Sequence, residues 1–531
     1  MTDSVMSQSA PRPAATIWAL RLAGVAAAAA VWLAMGAAQE VLPDARWVAA
    51  IATLMAIWWM TEAIPLAVTS LLPIVIVPAV TGQTVGEAAA PYASSIVFLF
   101  LGGFLIAIAM EKWNLHRRVA LLTLARVGTS PNRIVLGMML ATGFLSMWVS
   151  NTATTLMMLP IGFSVLALVA DQLKDQGLCG DPDGQRQAAD GAAANGSAVN
   201  QGAHAADDIG RFGTCLVLAI AWSASMGGLG TLLGSPPNAI VAGYAADTLG
   251  LPIGFLDWML IGMPLAFGFI LIGWFVMTRF LYRFDLREIP GGRQMIDREI
   301  ARLGRFSQGE AMVSIVFAGA AFLWVVPGVL ASIPGMEARL GWFGQLDDTA
   351  VAVAAGIALF FLPGEGRQRM VLDWKDAEEG LPWGVLLLFG GGLSLASAVA
   401  ASGLDGWFGA QVGGLGTLPI LLLVGAVVTI VLFLTEVTSN TATAATFIPV
   451  LGGVAIGIGT DPMTLLIPAA FAATCAFMLP VGTPPNAIAF STGAVTIRQM
   501  ARGGFVLNLI GILLITLVCY AIGGWALGLT F

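Results

Sequence analysis

The chain has 531 residues, of which 58% are hydrophobic and only 10% charged, with a mean hydropathy of +0.86. Soluble domains carry about 25% charged residues and divide at polar linkers, whereas here apolar stretches recur from Trp18 to Leu529, so a single membrane domain is expected. The formal charge of -7 is small and scattered, which gives no reason to expect a nucleic-acid partner and says nothing about the sign of a substrate.

In chain order, residues 1–15 form a tail and 16–45 hold the first transmembrane helix, its apolar run at 17–38. Arg12 and that run, with its small-residue end, also resemble a secretory signal; at about 21 residues the run is long for an h-region, and a retained span is expected. Further spans are predicted near 46–60, 64–80, 94–111, 213–245, 256–283, 310–330, 347–362, 381–401, 463–495 and 504–529, eleven in all. Two more apolar stretches, 134–170 and 417–458, are each interrupted by Ser-Asn-Thr, which leaves arms too short to cross alone and predicts re-entrant hairpins.

The landmarks repeat. Gly102 and Gly391 lie 289 positions apart, and so do Ser150 and Ser439; "GSPPNAI" from Gly234 and "GTPPNAI" from Gly482 lie 248 apart. The shortfall of 41 matches the polar stretch 172–212, read as a flexible loop insert. Repeat 1 is therefore 46–283, a cytoplasmic linker 284–309, and repeat 2 310–531. Corresponding spans are fourth and ninth in order, five apart, so the repeats are inverted in the membrane. Lys and Arg gather in 111–133 and 279–305 and at Arg498 and Arg502, but are absent from 39–45 and 81–93; this sets the N-terminus in the cytoplasm and the C-terminus outside.

Each repeat has two breaks, at Ser-Asn-Thr and at Gly-Ser/Thr-Pro-Pro-Asn. A helix broken inside a bilayer leaves backbone groups unpaired at several kcal/mol each unless a cavity, ion or substrate satisfies them. Pro236-Pro237 and Pro484-Pro485 make the interruption obligatory, since proline donates no backbone hydrogen bond. A lone Ser-Asn-Thr usually serves contacts between helices; two copies at one offset, each with a downstream Pro-Pro-Asn, argue for a site. Its side chains are hydroxyls and amides without Lys or Arg, able to donate to an anion or to offer oxygens to a hard cation. Neutral donors and helix dipoles alone hold a divalent anion weakly; co-bound sodium ions would supply the missing charge and couple the fluxes, so sodium coupling is expected.

"SNTATT" (150–155), "SNTATAA" (439–445), "GSPPNAI", "FMLPVGTPPNAI", "WWMTEAIPLAVTSLLPIVIVP" and "AMEKWNLHRR" resemble the divalent anion:sodium symporters over nearly the whole chain outside 172–212 and the extreme N-terminus. The resemblance implies an all-α, elevator-type homodimer in the cell (inner) membrane, with scaffold and transport domains, carrying dicarboxylates such as succinate, malate or fumarate. It implies one sodium site at Ser146, Ser150, Asn151 and Gly234 and another at Thr435, Thr438, Asn440 and Gly482. Substrate would meet Asn151, Thr152, Ser235 and Pro236 in one half and Asn440, Thr441, Thr483 and Pro484 in the other. The chain departs from the pattern at Thr474, where the family has serine upstream of "FMLPVG", and in the insert. A sodium-independent exchanger of the same family, or sulfate or citrate as cargo, stays open.

Glu62, Glu111 and Glu436 are the intramembrane carboxylates. The first two lie near helix ends, where solvation or a partner such as Arg117 suffices. Glu436, three residues before Ser439, either orients the loop, answers a proton or packs. Trp58, Trp59 and Trp148 are expected to pack rather than bind. His116 and His204 lie outside the apolar runs, which disfavours a histidine relay, and Cys179, Cys215, Cys475 and Cys519 match no metal or disulfide spacing. With no nucleophile-base pair and no continuous polar stripe in the spans, neither enzyme nor channel fits, and no organic cofactor is expected.

Overall fold

The computed structural model describes residues 13–37, 41–128, 130–175, 196–286, 292–331, 346–366, 369–412, 414 and 417–530. These are helical apart from connections and one antiparallel ribbon, Pro363–Glu365 with Arg369–Met370. Helix starts follow local chemistry. Proline occupies the first turn at Pro43, Pro131, Pro236 and Pro484, where its missing N–H costs nothing. Thr84 with Glu87 and Thr496 with Gln499 close reciprocal capping boxes.

Among the described residues nine helices are long and apolar enough to cross a membrane: Ala14–Gly36, Val85–Lys112, Asn151–Val169, Asp207–Gly227, Phe255–Leu281, Gln308–Leu330, Trp383–Ala401, Asn440–Gly457 and Ile497–Leu527. The chain is thus a multi-pass helical membrane protein. Seven of the nine coincide with predicted spans; the other two are the outgoing arms of the predicted hairpins, which reach spanning length where the sequence pattern predicts short arms.

Four predicted spans fall outside the nine. Pro43–Thr61 carries Asp44 and Arg46 in its first turn. The segment 64–80 is split into Leu66–Thr69 and Leu72–Val80. Asp348–Phe361 has 14 residues, about 21 Å of helix against a hydrocarbon core of about 30 Å. The segment 463–495 is divided into Met463–Thr474 and Pro484–Ser491. The polar insert also differs from its reading as loop: Gly196–Gly227 is one continuous helix that takes in 196–212, while 176–195 lie outside the described residues.

Two glycine pairs fix how closely helices approach. A Cβ on Gly102 would stand 2.4 Å from the Ala352 backbone, and one on Gly391 would stand 2.4 Å from the Ser70 carbonyl oxygen. The Gly-Gly motif of each half therefore lets its helix touch backbone of the other half, a contact no side chain permits. The core lies around Asp207–Gly227, most of whose residues are buried, whereas Ala14–Gly36 is largely exposed and packs on Pro43–Thr61. That buried helix ends where the first Pro-Pro-Asn break begins.

Candidate functional site

The first Ser-Asn-Thr break separates helix Pro131–Ser146 from helix Asn151–Asp175. Ser150 caps the second of these by accepting the Ala153 N–H at 3.2 Å. Asn151 opens that helix, with its amide 2.5 Å from Ser146 Oγ and facing the carbonyls of Ala224 and Gly234 at 3.1 and 3.2 Å. Two acceptors on one side orient the amide with its nitrogen toward them, so that Ser146 and Asn151 join the first break to the downstream one. Thr231 ties the two again by donating to the Met147 carbonyl.

At that downstream break Gly196–Gly227 stops and Pro236–Asp247 begins. Helix termini leave backbone groups without partners, and here Asn238 Nδ2 satisfies two of them, the carbonyls of Gly228 and Thr231, both at 2.8 Å. The turn is too tight for side chains. A Cβ on Gly234 would lie 2.6 Å from the Gly228 carbonyl oxygen, and one on Gly228 would lie 3.0 Å from the Asn151 side chain.

The second half makes bonds at corresponding positions, although there the hydroxyl donates to the amide oxygen, whereas in the first half the amide nitrogen faces the Ser146 hydroxyl. Thr435 Oγ1 donates to Asn440 Oδ1 at 2.7 Å, five residues apart as Ser146 and Asn151 are. Asn486 Nδ2 donates to the carbonyls of Ala476 and Leu479 at 3.0 and 3.1 Å, positions 248 beyond Gly228 and Thr231. Thr435 also reaches the Ala473 carbonyl at 3.1 Å, and Thr438 Oγ1 sits 2.6 Å from Thr443 Oγ1. Thr483 caps Pro484–Ser491 by accepting from the Asn486 N–H.

The halves meet reciprocally. Pro236–Asp247 packs on Asn440–Gly457, and Pro484–Ser491 packs on Asn151–Asp175. Four helices thus begin at the motif residues, and helix N-termini carry a partial positive charge suited to an anion. Thr152 and Thr441, next to the two asparagines, are half-buried and make no side-chain hydrogen bond among the described residues. Ser235 and Thr483 are buried, Pro236 is half-buried and Pro484 exposed.

Glu436 serves the loop. Its carboxylate accepts from the backbone N–H groups of Phe477, Met478 and Leu479 at 2.7 to 3.2 Å and from Asn508 Nδ2 at 2.7 Å. These donors saturate its lone pairs and hold the second Pro-Pro-Asn turn open, which decides for orientation among its three readings. The matching position in the first half is Met147, so this brace belongs to one half only.

The remaining expectations divide. Glu62 and Glu111 are exposed at helix ends, but Arg117 pairs with Glu299 at 2.9 Å rather than with Glu111. His116 is buried beside Asn114, Arg117, Ser164 and Glu299, with Nδ1 2.9 Å from the Met110 carbonyl; burial holds its imidazole below the ordinary range. Trp59 bonds Ser70, and Trp148 lies among Phe255, Phe317 and Trp324. Cys215, Cys475 and Cys519 are buried and free, while Cys179 and the side chain of His204 lie outside what the structure describes. Among the described residues no three His, Cys, Asp or Glu side chains gather at a metal-binding distance. The first loop offers hydroxyl, amide and carbonyl oxygens, and the second offers these with the Glu436 carboxylate beside Gly482.

Asn238, Asn486, Thr231 and Asn508 were not among the sequence candidates. The two asparagines carried a signal, since both end the Pro-Pro-Asn motif at one offset; Asn508 carried none.

Comparison with known proteins agrees with the motifs. Residues 15–529 match the family model described as the sodium:sulfate symporter transmembrane region. The chain is 41% identical over 475 residues to the sodium-dependent dicarboxylate transporter SdcS of Staphylococcus saprophyticus, covering 89% of this chain and 85% of that one. It is 42% identical over 485 residues to SdcS of Staphylococcus aureus, covering 91% and 87%. In fold it is similar to the crystal structure of the Alcanivorax borkumensis YdaH transporter, with TM-score 0.52, 12% identity and coverage of 83% and 88%.

Proposed function

The chain belongs to the sodium:sulfate symporter family, and from that membership we propose that it is a secondary transporter that uses a sodium gradient to carry small dicarboxylates across the cell membrane. The observation that carries this reading is the doubled break: two Ser-Asn-Thr loops and two Pro-Pro-Asn turns, held by corresponding hydrogen bonds and free of Lys and Arg. The relatives named above are sodium-dependent dicarboxylate transporters, which favours dicarboxylate over the sulfate of the family description.

In this reading the sodium ions lie at Ser146, Ser150, Asn151 and Gly234 and at Thr435, Thr438, Asn440 and Gly482. The substrate carboxylates meet Asn151, Thr152, Ser235 and Pro236 from one side and Asn440, Thr441, Thr483 and Pro484 from the other. Each helix N-terminus contributes about 0.3 to 2 kcal/mol toward an anion, too little for a dianion. The ions complete the charge, so substrate binds well only after sodium. The eleven-span count with two re-entrant hairpins, the inverted repeats, the cytoplasmic N-terminus, the elevator movement and the homodimer belong to the same proposal. The reciprocal packing of each Pro-Pro-Asn helix on the other half supports the repeat.

The test is uptake of labelled succinate into proteoliposomes with and without an inward sodium gradient. Symport predicts accumulation only with the gradient. Equal uptake in both would instead establish a sodium-independent exchanger, and competition by sulfate but not malate would reassign the cargo.

A further inference from the structure

We propose that Thr474 is a positioning residue that couples the substrate contact of the first half to the cation loop of the second; the proposal rests on the symport reading above. Thr474 ends helix Met463–Thr474 and is fully buried. Its hydroxyl lies 3.1 Å from Ser235 Oγ and donates to the Ala470 carbonyl at 3.2 Å. A threonine hydroxyl owns one hydrogen. With that hydrogen on Ala470, Ser235 must be the donor to Thr474.

The same helix end faces the other way through its backbone. The last carbonyls of a helix have no intrahelical partner; here the Thr474 carbonyl accepts from Asn440 Nδ2 at 3.4 Å, and the Ala473 carbonyl lies 3.1 Å from Thr435 Oγ1, whose one hydrogen it shares with Asn440 Oδ1. Among the described residues no other hydrogen bond joins a first-half break to a second-half break. A cation drawing the oxygens of Thr435 and Asn440 toward itself therefore pulls on the helix end whose hydroxyl holds Ser235. A substrate carboxylate can take the Ser235 hydrogen only when Ser235 lets go of Thr474. Sodium occupancy in one half thus sets how readily Ser235 in the other half turns to the anion.

Binding linkage is reciprocal, so in the wild type the sodium concentration giving half-maximal uptake falls as dicarboxylate rises. T474V keeps the shape and removes the hydroxyl. It is expected to shrink that dependence by about 2- to 10-fold, the worth of one neutral hydrogen bond, while T474S restores it. S235A cuts the same bond from its other end, and adding T474V to it should change the linkage no further. If T474V does not reach the membrane, T474A carries the same comparison. An undiminished linkage in T474V or T474A, or effects that add in the double variant, overturns the coupling role and leaves symport standing. A wild type without sodium-dependent uptake overturns both.

Discussion

Asn151 and Asn440 each do two things at once: one face of the amide holds neighbouring backbone or hydroxyl groups, and the position opens the helix that faces the site. Alanine at either removes a proposed ligand and leaves buried carbonyls unpaired, each at about 1 to 3 kcal/mol. N151A and N440A are expected to lower sodium-driven uptake by an order of magnitude or more while the protein still elutes as a folded species in size-exclusion chromatography. Near-normal uptake by both would reduce the loops to scaffolding. Glu436 differs in kind, because its carboxylate satisfies three backbone N–H groups that no other acceptor among the described residues reaches. E436Q keeps the volume but turns an acceptor-only group into one with an N–H facing donors. A lower thermal midpoint in detergent is expected, with sodium dependence retained in whatever protein folds. An unchanged midpoint together with altered pH dependence would make Glu436 a proton carrier instead.

At the scale of elements, close approach between the halves depends on positions without side chains. G102V would drive a branched side chain into the Ala352 backbone, whereas an added Cβ at Gly319 meets nothing within 4 Å. G102V is therefore expected to cost roughly 1 to 3 kcal/mol or more by overpacking, seen as reduced membrane yield and a lower melting temperature. G319A should match the wild type and even gain slightly in helix propensity. Equal behaviour of the two variants would show that the Gly102 contact is loose. The broken helices obey the opposite logic, since their interruptions at Pro236 and Pro484 are held open by Asn238 and Asn486.

For the whole molecule, the proposed orientation makes an accessible prediction. Single cysteines placed at Gln83 and at Arg126 should react with a membrane-impermeant thiol reagent from opposite sides, Gln83 from outside and Arg126 only after the cells are opened. Both labelled from one side would refute the assigned topology. Substitutions in 176–195 are expected to leave uptake unchanged, because none of the proposed site residues has a number in that range.

Composition and periodicity alone establish a membrane protein of many helices, since an apolar chain of this length has no other solvent. The two offsets alone bring out the paired breaks, because a repeated motif is visible wherever it falls. Other features needed the tertiary structure. The division of 64–80 and the shortness of Asp348–Phe361 escape hydropathy, which measures apolarity and not helix continuity. The Glu436 brace depends on backbone N–H groups forty-odd residues away, which carry no sequence signal. The Ser235–Thr474 bond joins residues 239 apart; sequence supplies the two hydroxyls, and only the packing of one half against the other decides that they meet.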